Sequence, residues 1–97
     1  MDKLIEYQLS LYITGASQNS VKAINNLKFI CEKYLHGNYV LEIIDVYQLP
    51  EVAYKEQIIA LPTLIKKRPA PERRLVGDLS DTLKVLSVLG ITLKDIE

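Results

Sequence analysis

Five basic residues lie within nine positions of this sequence and form its densest group of charged side chains. They are Lys66, Lys67, Arg68, Arg73 and Arg74. One acid, Glu72, lies among them, whereas twelve Lys and Arg balance twelve Asp and Glu over the whole chain, so the remainder is net acidic. Long cations of this kind suit an acidic partner surface, because complementary charge speeds encounter and fixes the docking register.

Two other interpretations of this basic group are open. A hairpin whose charges only face solvent would contain the same residues. Nucleic-acid binding is less favoured, because the formal net charge is zero and no aromatic residue lies between Lys66 and Arg74 to stack on a base. We therefore expect a protein-binding surface and no nucleic-acid partner.

Thiol chemistry would require a pattern that this sequence lacks. A dithiol oxidoreductase carries a low-pKa thiolate and a resolving thiol at the start of a helix. Cys31 is the only cysteine, and it falls on the apolar stripe of a predicted helix, where a thiol is usually an inert core residue. His36, the only histidine, follows that helix and has no evident acid–base or metal partner. We predict no enzyme activity, no cofactor and no metal site.

The bulk composition is that of an ordinary globular domain. The 97 residues suit a single domain over 1–97, and 48% of them are hydrophobic. One cysteine cannot form an intramolecular disulfide, which suits a reducing compartment. No apolar run reaches the roughly 18 residues that a membrane span needs. We expect a cytoplasmic protein without membrane association.

Hydrophobic periodicity predicts four strands and three helices in the order βαβαββα. The strands are 7–14, 39–46, 62–67 and 73–77, and the helices are about 20–35, 50–57 and 79–90. The strand–helix–strand unit predicts a parallel pair with a right-handed crossover, and the final hairpin adds two antiparallel strands. The result is a mixed four-stranded sheet with helices on both faces, which is the thioredoxin-like arrangement.

The two longer helices each carry an apolar face. The face of the first comprises Val21, Ile24, Leu27, Cys31 and Tyr34 or Leu35. The face of the last comprises Leu79, Leu83, Leu86 and Leu89 or Val88. The expected N-caps are Asn19 or Ser20 for the first helix and Asp78 or Ser80 for the last, and Gly37 is the expected left-handed C-cap.

Pro62 opens the third predicted strand. Proline has no N–H to donate to a sheet, so it is tolerated at the first residue of a strand and not in its interior. Thioredoxin-like folds carry a cis-proline at this point in the order of elements. We therefore predict a cis Leu61–Pro62 bond.

Three motifs, LYITGxSxxS, ExIDVxxxP and LPTLxKxxPxPxRRxxGDLS, occur in this order along the chain. Together with their flanking segments they resemble the KaiB family, which includes circadian-clock proteins of cyanobacteria. The likeness covers residues 7 to about 91, nearly the whole chain. KaiB-like chains also occur in bacteria without a demonstrated clock, so the resemblance is compatible with a circadian or a stress-related role.

The resemblance implies a regulatory binding protein. KaiB-like proteins bind the N-terminal ATPase ring of KaiC, a hexameric autokinase, oppose KaiA and so favour dephosphorylation of KaiC. They also compete with the thioredoxin-like sensor domain of the kinase SasA. Carried over by position, the partner-binding residues are Lys22, Lys66, Arg73 and Arg74. The alternative function is that of a thioredoxin-like redox or stress protein acting independently of KaiC.

The resemblance also implies a second fold. The family's resting state is an oligomer, often a tetramer, with a different C-terminal half, whereas its binding state is a thioredoxin-like monomer. The segment QIIALPTLIKK is apolar enough to form either strand or helix, so the resting fold, with helix across 62–75, stays open as the alternative. Val88 replaces a glycine found in many KaiB sequences, which favours the last helix. The chain ends at Glu97 without the acidic tail of clock members, a pattern compatible with a paralogue outside a clock. We expect a monomer in equilibrium with a dimer or tetramer.

Overall fold

A computed structural model describes residues 6–92 and confirms the predicted order of elements. The strands are β1 (Tyr7–Ile13), β2 (Tyr39–Asp45), β3 (Thr63–Arg68) and β4 (Arg73–Val76). The helices are α1 (Gln18–Leu35), α2 (Pro50–Lys55) and α3 (Thr82–Leu89). The two ends of the predicted 1–97 domain lie outside the described residues. No helix within residues 6–92 is long and apolar enough to cross a bilayer.

The four strands form one mixed sheet in the order β2-β1-β3-β4. β1 pairs with β2 in parallel and with β3 antiparallel, and β4 pairs antiparallel with β3. The register between β1 and β3 shifts at Gln8/Leu9. The predicted mixed sheet is confirmed, and the basic hairpin β3–β4 lies at one of its edges.

Each face of the sheet is covered by helix. The larger core lies between the sheet and α1 with α3, and it includes Leu11 and Leu64. The smaller core lies on the other face, where Tyr12, Ile44 and Ile65 pack with Val52 of α2. Neighbouring residues of a strand point to opposite faces, which explains why Leu64 and Ile65 belong to different cores.

The face of α1 is rotated from the predicted stripe. Ser17 is the N-cap, and its Oγ accepts a hydrogen bond from the Ser20 N–H at 3.2 Å, so the predicted caps Asn19 and Ser20 lie within the helix. Val21 is 44% exposed, whereas Ala23 and Ile30 are buried. The prediction for Val21 was wrong. The helix α1 contacts the sheet through Ser20 and through buried residues that follow it at intervals of three and four positions, and Val21 is not in this series.

The N-cap of α3 and the C-cap of α1 also differ from the prediction. Asp81 caps α3 by accepting from the Lys84 N–H at 3.2 Å, while Asp78 accepts from the Ser80 N–H in the preceding turn. The C-cap of α1 is His36, whose own φ is 50°, with Gly37 next to it. The structure thus selects one polar residue among several competent caps.

The apolar face of α3 is formed by its second half. Val85, Leu86, Val88 and Leu89 are buried, whereas Leu83 is 61% exposed. Leu79 is buried as predicted but precedes the helix, because α3 begins at Thr82.

The Leu61–Pro62 bond is cis, as predicted, and Arg68–Pro69 and Ala70–Pro71 are cis as well. The Pro62 carbonyl accepts a hydrogen bond from the Gly77 N–H at 3.0 Å, which extends the bonding of β3 with β4 by one residue. Residues 63–68 are a strand, so the structure has the thioredoxin-like arrangement and not the alternative with helix across 62–75.

Candidate partner-binding surface

The sheet divides the predicted basic group between its two faces. On β3, Lys66 points to the same side as Leu64, toward α1 and α3, while Lys67 points to the same side as Ile65, toward α2. Two adjacent lysines therefore serve different surfaces. The prediction of a single basic patch treated them as neighbours in space, and the period of two along a strand separates them.

The arginines of β4 are divided in the same way. Arg73 is the cross-strand partner of Lys66, and Arg74 is the partner of Ile65. Arg73 consequently lies on the α1/α3 face and Arg74 on the α2 face. Of the four predicted partner-binding residues, the structure brings Lys66 and Arg73 together and places Arg74 on the opposite side of the sheet.

Lys66 is not the exposed cation that the sequence suggested. Only 3% of the residue is exposed, although Arg73 beside it is exposed. Burial, with a smaller contribution from the Arg73 charge, lowers the pKa of Lys66 below its ordinary value. Long lysine side chains can bury their methylene groups and keep the ammonium at the surface, and this position uses that property.

On the α2 face, Glu56 ties the hairpin to the end of α2. The Glu56 carboxylate is 3.1 Å from Lys67 Nζ and 3.9 Å from Arg74 Nη2. The hydrogen bond from Lys67 to Glu56 raises the pKa of Lys67. Arg74 also lies 3.9 Å from Glu72 and donates from Nη1 to the Gln57 carbonyl at 3.4 Å. Such half-exposed pairs contribute roughly 0–1 kcal/mol each, so Arg74 is held only loosely.

Lys22 lies at the other end of β4. It is exposed on α1, and its charge acts on Asp78, whose pKa is lowered first by hydrogen bonds from Ser80 and to a smaller extent by Lys22. One turn later on α1, Asn26 Nδ2 donates to the Asp78 carbonyl at 2.9 Å. Asp78 lies two residues beyond Val76, where β4 ends, and Arg73 is the first residue of β4, so Lys22 and Arg73 are separated by roughly 10 Å or more of extended strand.

A group of exposed apolar residues around α2 was missed in the sequence. Tyr47 is 79% exposed, Tyr54 89% and Ile59 96%. Tyr54 and Ile59 flank Gln57, whose carbonyl holds Arg74, so this apolar group borders the α2 side of the basic hairpin. The length of α2 is the signal that could have shown it, because a helix of six residues has too small a face to bury every apolar side chain around it.

Cys31 lies in the larger core and is 0% exposed, as predicted. Burial, with a smaller effect of Glu32, raises the pKa of its thiol to about 12. A thiol with that pKa is rarely ionised to the thiolate needed for nucleophilic attack near neutral pH.

At the start of α1, the Ser17 hydroxyl donates to the Ser20 hydroxyl at 2.8 Å. Residues 6–92 contain no group of three or more His, Cys, Asp or Glu arranged to hold a metal ion.

Comparison with protein families matches residues 10–91 to the KaiB domain. The chain belongs to the KaiB family. The circadian clock oscillator protein KaiB of Gloeothece citriformis is 44% identical over 91 residues, which cover 94% of this chain and 86% of that protein. The corresponding protein of Synechococcus elongatus is 47% identical over 85 residues, covering 88% of this chain and 83% of that protein. The resemblance noted from the three motifs is thus confirmed.

Solved structures confirm the thioredoxin-like fold of this KaiB-family chain. The N-terminal domain of Synechococcus elongatus SasA superposes with a TM-score of 0.73 at 21% identity, covering 93% of this chain and 89% of that domain. The thioredoxin Deadhead of Drosophila melanogaster superposes with a TM-score of 0.71 at 16% identity, covering 89% and 80% of the two chains. At these identities the likeness concerns the fold.

Proposed function

We propose that this KaiB-family chain binds a KaiC-type hexameric ATPase and autokinase and thereby modulates its phosphorylation state or its signalling output, without catalysing a reaction of its own. The observation that carries the proposal is the KaiB-domain match over residues 10–91, together with curated relatives named as circadian clock oscillator proteins. The output can be circadian or stress-related, and the site of action is the cytoplasm.

The docking surface of this proposal is the β3–β4 hairpin with the adjoining end of α2. Arg73 is exposed and has no ion pair with any residue among 6–92, and Arg74 has only two long ones. These cations would steer an acidic partner surface toward the hairpin. The exposed Tyr54 and Ile59 supply the apolar contact that charges at an interface rim lack.

The proposal also includes competition with a SasA-type sensor kinase. The N-terminal domain of SasA and this chain share one fold over 93% of the chain. Two domains of the same shape can compete for one surface of the same ATPase, so we propose that a SasA-type sensor kinase and this chain exclude each other there. We further propose that a dimer or tetramer with the family's resting fold exchanges with the monomer that binds.

The redox alternative has no comparable support. A redox protein needs an accessible thiolate, and Cys31 is buried with its thiol pKa raised to about 12. Two thioredoxins of similar structure are 16% and 15% identical to this chain, and a shared fold at such identities carries no chemistry by itself.

The test is association of the purified chain with its cognate KaiC-type ATPase, followed by stopped-flow or biolayer interferometry. Arg73→Glu combined with Arg74→Glu should slow association about tenfold at low salt and change dissociation less, because the charges act on encounter. Raising the salt concentration should reduce the difference between wild type and variant, since the screening length is about 10 Å at 0.1 M. Lys28→Glu, a reversal at an exposed residue of α1 away from the hairpin, is the matched control.

Two outcomes would contradict this proposal. Absence of any association with the wild-type chain would remove the ATPase as partner. Equal association rates for the hairpin variant and Lys28→Glu would exclude the hairpin as the docking surface while leaving the partner in place.

A further inference from the structure

Lys66 and Arg73 form a like-charged pair with no counterion. They are cross-strand partners on the α1/α3 face of the hairpin, and like charges directly opposite each other in a sheet are destabilising. The destabilisation is greater because Lys66 is only 3% exposed, and burial disfavours the charged form of a lysine. Without a counterion, this pair therefore destabilises the folded state.

The described part of the chain offers these two cations no acid. Its three ion pairs engage Glu56 and Glu72, both with residues on the α2 face. Asp78 and Asp81 bind backbone N–H groups at the other end of β4. Within residues 6–92, the side chains of Lys66 and Arg73 make no hydrogen bond and no ion pair.

The Lys66 ammonium is nevertheless reachable from solvent. Within residues 6–92, every fully buried side-chain nitrogen has a hydrogen-bond partner. Since Lys66 has no partner, its Nζ must retain some contact with solvent, while its methylene groups are buried. The ammonium therefore has a solvent-accessible side, and the exposed Arg73 lies directly across the strand pair from it.

We propose that Lys66 and Arg73 together bind one phosphate group, either inorganic phosphate or the terminal phosphate of a small phosphate monoester. Directly opposed residues of a sheet have Cβ atoms about 5 Å apart, so two long cationic side chains can converge on one compact anion. Arg73 can contribute a planar pair of N–H donors and Lys66 a point charge, which is a combination suited to phosphate oxygens.

A dianion matches this pair better than a carboxylate. One phosphate near neutral pH carries up to two negative charges and offers several acceptor oxygens, so it can neutralise both cations at once. A single carboxylate would leave one of the two positive charges uncompensated. The phosphate also removes the repulsion that the empty pair retains, so its binding should stabilise the fold by linkage.

The experiment uses the full chain alone, so it does not depend on the ATPase proposed above. Backbone and arginine side-chain signals are followed by NMR during titration with sodium phosphate at constant ionic strength, with chloride as the balancing anion. Saturable shifts are expected around Lys66 and Arg73. Lys66→Met and Arg73→Gln should each weaken binding about tenfold, equivalent to 1.4 kcal/mol.

Arg74→Gln is the matched control, because Arg74 lies on the same hairpin but faces α2, and it should bind phosphate like the wild type. Acetate should bind several-fold more weakly than phosphate. Titration with AMP distinguishes the two sources: affinity above that of inorganic phosphate assigns the site to a monoester, and lower affinity assigns it to the free ion.

Thermal unfolding provides a second readout, because an anion that binds only the folded chain raises its Tm. Phosphate should raise the Tm of the wild type and of Arg74→Gln more than that of Lys66→Met, and the remainder in Lys66→Met measures the general effect of an excluded salt. Shifts that grow linearly without saturation, or an equal loss in Arg74→Gln, would overturn the proposal.

Discussion

Replacing Lys66 by methionine should stabilise the fold by about 1 kcal/mol. Methionine keeps an unbranched side chain of similar length, so the packing of the buried methylene groups is largely retained. The substitution removes the charge of a residue that is 3% exposed, and with it the repulsion between this charge and Arg73. Replacing a buried ion pair by apolar residues of similar volume is often neutral or stabilising by roughly 1–4 kcal/mol, and we expect the lower end of that range for this single charge because the Lys66 tip reaches solvent.

The assay is thermal unfolding at neutral pH followed by circular dichroism. For a domain of this size, about 1 kcal/mol corresponds to a rise in Tm of roughly 4–8 °C. Lys28→Met is the control, because Lys28 is exposed on α1 and its replacement should change stability by no more than about 0.5 kcal/mol. A double-mutant cycle with Arg73→Gln should be sub-additive, since either substitution alone relieves the same repulsion.

The pH dependence gives an independent check on the sign. The pKa of Lys66 is lowered in the folded protein from its ordinary value of 10.5, so the folded state releases this proton more readily than the unfolded state. Wild-type stability should therefore rise relative to Lys66→Met as the pH increases from the lowered folded value toward 10.5. Destabilisation by Lys66→Met at neutral pH, beyond that of Lys28→Met, would show that the ammonium has a favourable partner and would refute the reasoning.

Two further predictions concern Cys31 and Val88. Cys31 is fully buried and its thiol pKa is raised to about 12, so the native chain should show no insulin reduction with thioredoxin reductase and should react with a thiol reagent only on unfolding. The urea-unfolded chain is the control that shows one reactive thiol. Rapid labelling of the native chain would contradict this prediction. Val88 is 9% exposed in the larger core, so Val88→Gly should cost roughly 2–3 kcal/mol, mostly from lost burial and only a few tenths from helix propensity. It should also raise the oligomeric population, measured by light scattering and NMR exchange. Ser87→Gly, at an exposed neighbour, should cost about 0.5 kcal/mol and test propensity alone; one mass and one set of peaks in all three proteins would argue against a second fold.

The order of elements and the fold class were determined by the sequence itself. The alternation of β1 and the spacing of apolar residues in α1 are local patterns with periods of 2 and 3.6, and each reports its own secondary structure without knowledge of the rest of the chain. Pro62 marked a position that cannot lie in the interior of a central strand, and β3 begins at the next residue. The motif around Arg73 and Arg74 was specific enough to indicate the KaiB family, which the domain match then confirmed.

Tertiary structure decided which local choice was used where several were competent. Asp78, Ser80 and Asp81 can all cap a helix, and the structure uses Asp81 because the chain first buries Leu79 and only then begins α3. The same holds for α1, where either of two overlapping stripes could have faced the sheet. Helix propensity and capping chemistry leave such alternatives nearly equal, and packing against the sheet separates them.

The candidate site shows the same division most clearly. The sequence identified Lys66 and Arg73 as cations of interest, and strand alternation could have placed Lys66 and Lys67 on opposite faces. The burial of Lys66 could not be obtained in this way, because it depends on how closely the elements on the α1/α3 face pack over this end of β3. A charge becomes costly only when other elements remove its water, and that removal is a property of the assembled fold.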